Sequence, residues 1–408
     1  MMDFEAAAVP YWPIRRRKLI RRNLAFLAAI AGLACVVLFI RHRLVTEPIA
    51  DRVLDQVATT VSVRYYDRSY HGVDWDGLVA HYRPLVESAP TVDRRYQLLQ
   101  AMVARLGDSH TAVFSPDEVN GVEAADAGTT GAVFVTIGRD RVVARVAPRS
   151  PAASAGLRPG YIIAEGAPVA GSHAPWGPLA IRDPVTGRSW STVLRPIVPG
   201  RSYDAVIPAD LDWGTIGSDV GYLRMASFPN NIEEELGWAV SDIGRHPAMI
   251  LDLRGNPGGL IDAVDATAGI FLPEGALVAT GTGRYSLFRR RFAATADAGI
   301  RYDGTLAVLV DGTSESGAEA LASALQAYHR GVIIGEPTAR HVLGVEVEER
   351  LADGGLLRVA TLDMRDVRGI ALEGRGVTPD ITVARTPADI ARGRDPQLRA
   401  ALTYLKRL

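Results

Sequence analysis

Between about residues 215 and 385, apolar runs typical of strands alternate with segments typical of helices, and this alternation constrains the fold more than any other feature. The strand-like runs are VGYLRMASF, AMILDLRG, TLAVLVDG and GVIIGE. Helices that alternate with strands bury their apolar stripes against the sheet that the strands form. The sequence therefore predicts an α/β core in this part of the chain.

Two other zones precede this core. From about residue 47 to 115, apolar side chains recur at helical spacing, with an interruption at Pro90, which predicts a small helical region. From about residue 125 to 207, short β-rich runs such as GAVFVTI and RVVARV predict a compact β module. A chain of 408 residues is long enough for two or three domains of this kind.

Residues 24–40, LAFLAAIAGLACVVLFI, form an uncharged apolar run of 17 residues, at the short end of what crosses a bilayer. Basic residues cluster before this run, and only Arg41 and Arg43 follow closely. The positive-inside rule then places the N-terminus in the cytoplasm and everything after residue 43 outside. No small-x-small cleavage site accompanies the RHR that follows, so the sequence favours an uncleaved single-pass anchor over a removed signal peptide or a buried core helix.

Charge and cysteine content narrow the function of the outer part. Residues 1–43 have a charge balance of +6 in a chain of net charge -1, which leaves about -7 on the remainder and argues against a nucleic-acid-binding surface. Cys35, the only cysteine, lies in the apolar run, which excludes disulfides and cysteine metal sites outside. The sequence has no His-x-x-x-His pair and no G-x-x-x-x-G-K loop, so we expect no metal and no other cofactor.

The stretch DGTSESGAEALASALQAYHRGVIIGEPTARHVLG, residues 311–344, places a serine where a helix is expected to start. Ser316 followed by Glu319 fits a capping box, in which both side chains satisfy free backbone amides. The same position, after a buried strand and at the positive end of a helix, also suits a serine nucleophile. The two interpretations differ in whether a base and an oxyanion pocket reach Ser316.

A candidate oxyanion pocket lies in LDLRGNPGGL, residues 251–260, where an apolar strand ends in Asn-Pro-Gly-Gly. Glycines at such a turn leave backbone N–H groups uncovered, although a plain strand-to-helix turn has the same pattern. A lysine base is nearly excluded, because the only lysines are Lys18 and Lys406. Histidine, with a pKa near neutrality, is the natural alternative, and the candidates are His110 in LGDSHTAVF and His341 in GEPTARHVLG.

Five motifs occur in the order and spacing of the carboxy-terminal processing protease and tricorn-core family of serine peptidases, which this chain resembles over roughly residues 55 to 385. They are GYLRMASF, MILDLRGNPGG, DGTSESGAEALASALQ, GVIIGEPT and EGRGVTPDITV. SPAASAGLRPG resembles the matching PDZ domain, and DWDGLVAHYRPLV through LGDSHT resembles the helical region that precedes it. The resemblance implies an α/β core of the crotonase-like (Clp-protease-like) ββα type.

The resemblance also gives domain boundaries. We expect a small helical region and a PDZ-like β module before the α/β core, and one transmembrane helix at the N-terminus. The divisions are a cytoplasmic basic segment and transmembrane anchor at 1–46, the helical region with a Ser-His pair at 47–118, a PDZ-like domain at 119–210, the α/β serine peptidase core at 211–390, and a C-terminal helix at 391–408.

Two catalytic arrangements exist in this family, and they place the base differently. In the processing proteases the nucleophile pairs with a lysine 25 residues later, and counting from Ser316 reaches His341. In the tricorn-like branch the base is the histidine of an upstream Ser-His pair, and a glutamate before Gly-Val-x-Pro-Asp completes the set. Ser109, His110 and Glu373 match those positions. The resemblance to that branch therefore implies that His110 is the base, with His341 as the alternative.

The implied reaction is acyl transfer. Ser316 attacks a peptide carbonyl, His110 takes its proton, and the backbone N–H groups of Gly258 and Gly317 hold the oxyanion. Ser109 and Glu373 orient or polarise the base. Other interpretations remain, since the Ser-His pair suits a helix end and Glu373 suits a turn.

The sequence thus predicts a membrane-anchored, extracytoplasmic serine endopeptidase that cleaves protein or peptide substrates. Its PDZ-like module is expected to bind substrate C-termini at TTGAVF, residues 129–134, or to serve only as a structural or gating module. A non-catalytic peptide- or ligand-binding protein of the same fold is the alternative. The expected location is a single-pass membrane position, with the catalytic part periplasmic or extracellular.

Overall fold

The computed structural model describes residues 49–119, 131–146, 150–163, 178–193, 210–285 and 289–407. The predicted anchor at 24–40 and residues 129–130 of the expected peptide-binding loop lie outside these ranges. Within them, no helix combines the length and the apolar character that crossing a bilayer requires. The anchor therefore stays a prediction.

The described part contains helices and strands in the following order along the chain. The helices are α1 Ile49–Arg64, α2 Trp75–Glu87, α3 Val92–Val103, α4 Pro151–Ser154, α5 Glu233–Ile243, α6 Ile261–Phe271, α7 Gly317–Ala327, α8 Pro387–Ala391 and α9 Pro396–Leu405. The strands are β1 Ala112–Phe114, β2 Ala132–Ile137, β3 Asp140–Val146, β4 Ile162–Ile163, β5 Pro178–Arg182, β6 Ser189–Val193, β7 Leu211–Ile216, β8 Val220–Met225, β9 Ala248–Asp252, β10 Leu277–Thr282, β11 Arg289–Ala293, β12 Thr305–Val310, β13 Val332–Gly335, β14 Leu343–Arg350, β15 Leu356–Arg365 and β16 Ile381–Thr382.

A six-stranded central sheet has the order β16-β13-β12-β9-β8-β7. All neighbouring pairs are parallel except β7 with β8. Every residue of β9 is buried, as is nearly all of β12. Strands covered on both faces read as continuous apolar runs, which is why the sequence showed AMIL and LAVLV without alternation. The α/β core that the alternating pattern predicted is confirmed as a mixed α/β fold.

Helices cover both faces of the central sheet. Buried side chains of α5, α6 and α7 form the largest apolar cluster with one face. On the other face, Ala401 and Leu405 of α9 pack with Ile250, Leu309 and Ile334. Because β9, β12 and β13 run parallel, the loops that follow them meet at one edge of the sheet. That edge carries the candidate site.

A second, antiparallel sheet has the order β1-β15-β10-β11, with β14 also paired to β15. Helices α1 to α3 pack against it, and Val57, Leu99 and Leu357 are fully buried in the shared cluster. The pairing of β1 with β15 fixes the chain that precedes Ala112, which contains Ser109 and His110. No local pattern in the sequence predicts this sheet.

The β module is a five-stranded antiparallel sheet in the order β2-β3-β4-β5-β6. It packs on the core through α8, where Ile390 lies among Val142 and Ile162. Gly160 approaches α8 so closely that a Cβ at this position would lie 2.4 Å from the Ala391 backbone N. A compact β module was expected here, and its identity as a PDZ-like domain stays a prediction.

Asp265 of α6 is a buried carboxyl group at 9% exposure, and its Oδ1 has no hydrogen-bond partner in the described part of the chain. Burial raises the pKa of the Asp265 carboxyl to about 7. In the unfolded chain the pKa of an aspartate is about 3.9. Between about pH 4 and pH 7 the native state therefore holds the Asp265 proton more tightly than the unfolded chain does. Stability from this group is therefore complete below about pH 4 and is lost as the pH rises towards about 7.

We predict that Asp265→Asn raises the Tm at pH 8 by at least about 2 °C, because the neutral amide avoids burying a charge. The difference from wild type should shrink towards pH 4, where the carboxyl is protonated. Thermal melts at both pH values test this, with Asp242→Asn, an exposed position on α5, as the control. A variant that is equally destabilised at both pH values would contradict it.

Candidate active site

Ser316 lies between β12 and α7 in a strained backbone conformation. Its φ is 54° and its ψ is -111°, a region that residues with a side chain rarely adopt. Gly258 lies directly against it, since a Cβ on Gly258 would be 2.7 Å from Ser316 Cβ. Ser316 is the capping residue of α7, with Glu319 in the matching capping-box position. The strained turn thus holds a half-buried serine at the start of the helix, against Gly258.

Glu319 holds the backbone around Ser316. Its buried carboxylate accepts hydrogen bonds from the backbone N–H groups of Ser316 at 3.1 Å, Arg340 at 2.8 Å and His341 at 3.0 Å. The hydroxyl of Thr338 donates to the same carboxylate. Burial raises the pKa of Glu319, and these hydrogen bonds oppose that rise. The Glu319 to Ser316 contact predicted from the capping box is present, but the carboxylate also ties the 338–341 segment to the start of α7.

The glycine loop, residues 253–260, is fixed by its own contacts and by the serine segment. Asn256 is fully buried, and its carbonyl accepts a hydrogen bond from the Glu315 N–H at 2.8 Å. The Gly255 N–H donates to Asp311 Oδ1 at 3.1 Å. Backbone φ values of +73°, +93° and +143° at its three glycines lie where a residue with a side chain would be strained. Hydrogen bonds therefore join the glycine loop to the serine segment, residues 311–316, beside Ser316.

The glycine N–H groups beside Ser316 differ in whether they are already hydrogen-bonded. The Gly258 N–H, predicted as a donor, is engaged by Asn256 Oδ1 at 2.7 Å. In the described residues, the N–H groups of Gly317 and Gly259 have no hydrogen-bond partner. The Asn-Pro-Gly-Gly pattern alone did not show that the Asn256 side chain, two residues earlier, accepts the Gly258 N–H. Gly259 is therefore a donor candidate alongside Gly317.

Ser109, His110 and Glu373 form a hydrogen-bonded relay. The distance from Ser109 Oγ is 2.6 Å to His110 Nδ1 and 3.0 Å to Glu373 Oε2. The Ser109 N–H donates to Glu373 Oε1 at 3.1 Å, and the Val342 N–H donates to Glu373 Oε2 at 2.7 Å. Asp108 Oδ1 accepts from the His110 N–H at 2.8 Å. The pair in LGDSHT and the distant glutamate are thus brought together.

The relay determines which nitrogen of His110 carries a proton. A carboxylate only accepts, so the single hydroxyl proton of Ser109 is donated to Glu373. Ser109 Oγ must then accept from His110 Nδ1–H, which leaves Nε2 unprotonated. Burial lowers the pKa of His110, whereas the nearby carboxylates, Glu373 foremost, oppose that change. The neutral imidazole with a free Nε2 is the form of a general base.

His341 contacts the serine segment through its backbone. Its carbonyl accepts a hydrogen bond from the Ser316 N–H at 2.9 Å. Its side chain is 50% exposed, and Nδ1 lies 3.3 Å from Glu315 Oε1. It is close enough to His110 to lower the pKa of that imidazole. In the described chain, the Ser316 hydroxyl is hydrogen-bonded to neither histidine.

The segment at residues 341–342 joins the two halves of the site. The carbonyl of His341 binds the Ser316 N–H, and the next N–H, that of Val342, binds Glu373. Nucleophile and relay are therefore held by the two sides of one peptide group, that between His341 and Val342. Asn256 and Asp108 were not singled out from the sequence, although their places in GNPGG and GDSHT were the available signal.

Two family models match the chain. Residues 219–383 match the model of peptidase family S41, and residues 52–104 match the model of the tricorn protease C1 domain. The first range contains the glycine loop, Ser316 and Glu373, and the second covers most of helices α1 to α3. These matches confirm the resemblance that the ordered motifs predicted.

Individual proteins give the same result. A putative tricorn protease homolog 2 of Streptomyces coelicolor is 27% identical over 385 residues, which cover 85% of this chain and 31% of that protein. A carboxyl-terminal-processing protease of Synechocystis sp. is 28% identical over 369 residues, covering 85% of this chain and 84% of that protein. The chain thus spans about a third of the Streptomyces protein and most of the Synechocystis one.

Solved structures share the fold. The photosystem II D1 C-terminal processing protease has a TM-score of 0.59 at 22% identity, with coverage of 82% of this chain and 93% of that chain. The tricorn protease has a TM-score of 0.54 at 17% identity, with coverage of 88% and 37%.

Proposed function

We propose that this chain hydrolyses internal peptide bonds of protein substrates through an acyl-enzyme on Ser316. The premise is that it carries a peptidase family S41 domain and is a serine-type peptidase. The observation that carries this proposal is the Glu373-Ser109-His110 relay, which leaves His110 Nε2 free to accept a proton. The strained Ser316 beside the glycine loop supplies a nucleophile on the same edge of the sheet.

The chemistry uses one proton twice. Ser316 Oγ forms a bond to the substrate carbonyl carbon while its proton passes to His110 Nε2. The C–N bond of the tetrahedral adduct then breaks, and the same proton goes to the leaving amine. Water, deprotonated by His110, hydrolyses the ester and restores Ser316. The positive charge that His110 acquires in each half is stabilised through Ser109 by the carboxylate of Glu373.

Backbone N–H groups stabilise the oxyanion. Gly317 at the start of α7 is one donor, and its position adds the positive end of the helix. Gly259 supplies the second donor, or Gly258 does so after exchanging its bond with Asn256. The Ser316 hydroxyl must also turn towards His110. We expect its hydrogen bond to Nε2 to form when substrate binds.

A fluorophosphonate probe and an unfolded protein substrate together test the proposed function. The purified full chain in detergent should become labelled on Ser316 and should degrade casein, with no added nucleotide and in the presence of chelator. Ser316→Ala should abolish both. A folded wild-type protein that is neither labelled nor active on several unfolded substrates would favour the alternative, a non-catalytic peptide- or ligand-binding protein.

The name of the Synechocystis relative, a carboxyl-terminal-processing protease, supports substrates that are recognised near their C-termini. The β module is the part of this chain suited to that task, since an extended peptide adds to an exposed strand of such a sheet. Fluorescently labelled peptides with a free or an amidated C-terminus should then differ in affinity for the full chain. Equal affinities would favour a structural role for the module.

We predict that the catalytic part faces the periplasm or the cell exterior and remains attached to the membrane. The support is the basic cluster before the apolar run at residues 24–40. Protease added to intact spheroplasts should digest residues 47–408, whereas a cytoplasmic marker protein should survive. Protection until the membrane is lysed would contradict the topology, and a mature N-terminus after residue 43 would contradict the anchor.

A further inference from the structure

Arg254 is a buried cation near the start of the glycine loop. The proposed chemistry does not use it. Its side chain is only 8% exposed. Nε donates to Asp252 Oδ1 at 2.9 Å, and Nη2 donates to Asp252 Oδ2 at 2.6 Å. Nη1 donates to both oxygens of Asp395, at 3.0 and 2.9 Å, and to Gln397 Oε1 at 3.0 Å. The guanidinium is therefore bound on two sides.

These partners come from separate parts of the fold. Asp252 ends β9, while Asp395 caps α9 by accepting the Leu398 N–H at 2.9 Å. Asp395 lies 141 residues after Arg254, and α9 packs on the face of the central sheet opposite α7. Arg254 is thus the link between the C-terminal helix and the edge that carries the candidate site.

The charges of this link are fixed. Burial alone would lower the pKa of Arg254, but Asp252 and Asp395 raise it well above its ordinary value. Burial alone would raise the pKa of Asp252, but Arg254 holds it below its ordinary value. Removing one member leaves another charge buried without its partner, so the remaining groups and the adjoining backbone must rearrange.

The backbone that such a rearrangement would affect most is that of the glycine loop. Arg254 immediately precedes Gly255, and three of the next five residues are glycines with positive φ. Glycines permit many backbone conformations, so the loop depends on contacts at its ends to hold one of them. The far end is held by hydrogen bonds between Phe228 and the peptide groups of Gly258 and Leu260. At the near end, the ionic contacts of Arg254 add to the hydrogen bond between the Gly255 N–H and Asp311.

We propose that Arg254 is a positioning residue for the glycine loop, and that Asp395 at the start of α9 holds Arg254 in place. This inference rests on the proposed function, since the loop matters only if an oxyanion forms beside Ser316. Oxyanion donors act through distance and direction, and small misplacements reduce the rate of the chemical step more than substrate binding. The C-terminal helix then contributes to turnover without touching the substrate.

The test is steady-state cleavage by full-chain Asp395→Ser, which keeps a capping oxygen for α9 but removes the carboxylate from Arg254. Turnover of a quenched-fluorescent unfolded protein is divided by the number of sites that the fluorophosphonate probe labels to completion. We expect kcat per labelled site to fall about tenfold or more, with KM within about twofold. Arg254→Gln should behave alike, and the double variant should be no slower than the slower single variant.

Two controls separate positioning from general stability. Thr386→Ala removes the cap of α8 without touching Arg254, because Thr386 Oγ accepts only the Asp389 N–H. Asp353→Asn weakens another ion pair, a half-buried one with Arg95, between the helical region and the second sheet. Both should lower the Tm and leave kcat per labelled site near wild type. Asp395→Asn, a milder change, supplies the same comparison if Asp395→Ser does not fold.

Normal kcat per labelled site in folded Asp395 variants, or an equal loss in both controls, would overturn the inference while the proposed function stands. A wild-type chain without labelling or cleavage is a different result. It would remove the proposed function and the inference with it.

Discussion

Replacing His110 with alanine is expected to lower kcat by about 10³-fold or more, whereas His341→Ala should cost about tenfold or less. The reason is the relay, which fixes the tautomer of His110 and places a carboxylate to stabilise its charged form. His341 is half exposed, and its ionic contact within the described residues is with Glu315. Cleavage of one unfolded substrate by both variants, normalised to labelled sites, measures the difference.

The pH profile gives an independent reading of the same assignment. Only neutral His110 accepts a proton, and burial lowers its pKa below the ordinary value of about 6.5. Wild-type kcat/KM should therefore stay level down to about pH 6.5 and fall below it. His341→Ala should keep this acid limb, moved slightly towards higher pH, because a group that lowers the pKa of His110 is removed. Near-normal turnover in His110→Ala with an inactive His341→Ala would instead assign the base to the lysine position of the processing proteases.

The parts of the fold that were predictable are those whose signal is local. Strands β9 and β12 are buried on both faces, so their sequences are continuous apolar runs. The second sheet was not predictable in this way. It pairs β1 with β15 and β10 with β15, segments separated by long stretches of chain, and such pairing leaves no periodic mark in any one of them.

The candidate site shows the same division. Ser316 and Glu319 were identified from a spacing of three residues, and the bond from the Ser316 N–H to Glu319 is present. The further bonds of Glu319 to Thr338 and His341 are tertiary contacts that this spacing does not encode. The contact of Ser109 with Glu373 crosses 264 residues, and only the resemblance to the tricorn-like branch suggested it.

Arg254 illustrates why sequence reasoning stops short of the supporting residues. In LDLRGNPGG it is one charged residue between an apolar strand and a glycine turn, a place where exposed arginines are common. Its burial follows from α9, whose start supplies Asp395 and Gln397. No local pattern indicates that a helix at the C-terminus reaches this arginine.

Changing Glu373 to glutamine is expected to lower kcat by between about 10² and 10⁴, although shape and size are almost unchanged. Glu373 accepts three hydrogen bonds, from the Ser109 hydroxyl, the Ser109 N–H and the Val342 N–H. An amide replaces one accepting oxygen by a donating NH₂, so at least one of these N–H groups then faces another donor. If the NH₂ faces Ser109 Oγ, the hydroxyl must donate to His110 Nδ1, which moves the imidazole proton to Nε2. His110 would then be unable to take the proton of Ser316.

The relay predicts how this loss combines with others. Ser109→Ala removes the group through which Glu373 acts, so Ser109→Ala combined with Glu373→Gln should be no slower than the slower single variant. Glu348→Gln, the same substitution on the exposed side of β14, should leave kcat within about twofold of wild type. Full activity in Glu373→Gln, or losses that multiply in the double variant, would mean that Glu373 does not act through Ser109. Charge at this turn would then serve only to hold the Val342 backbone in place.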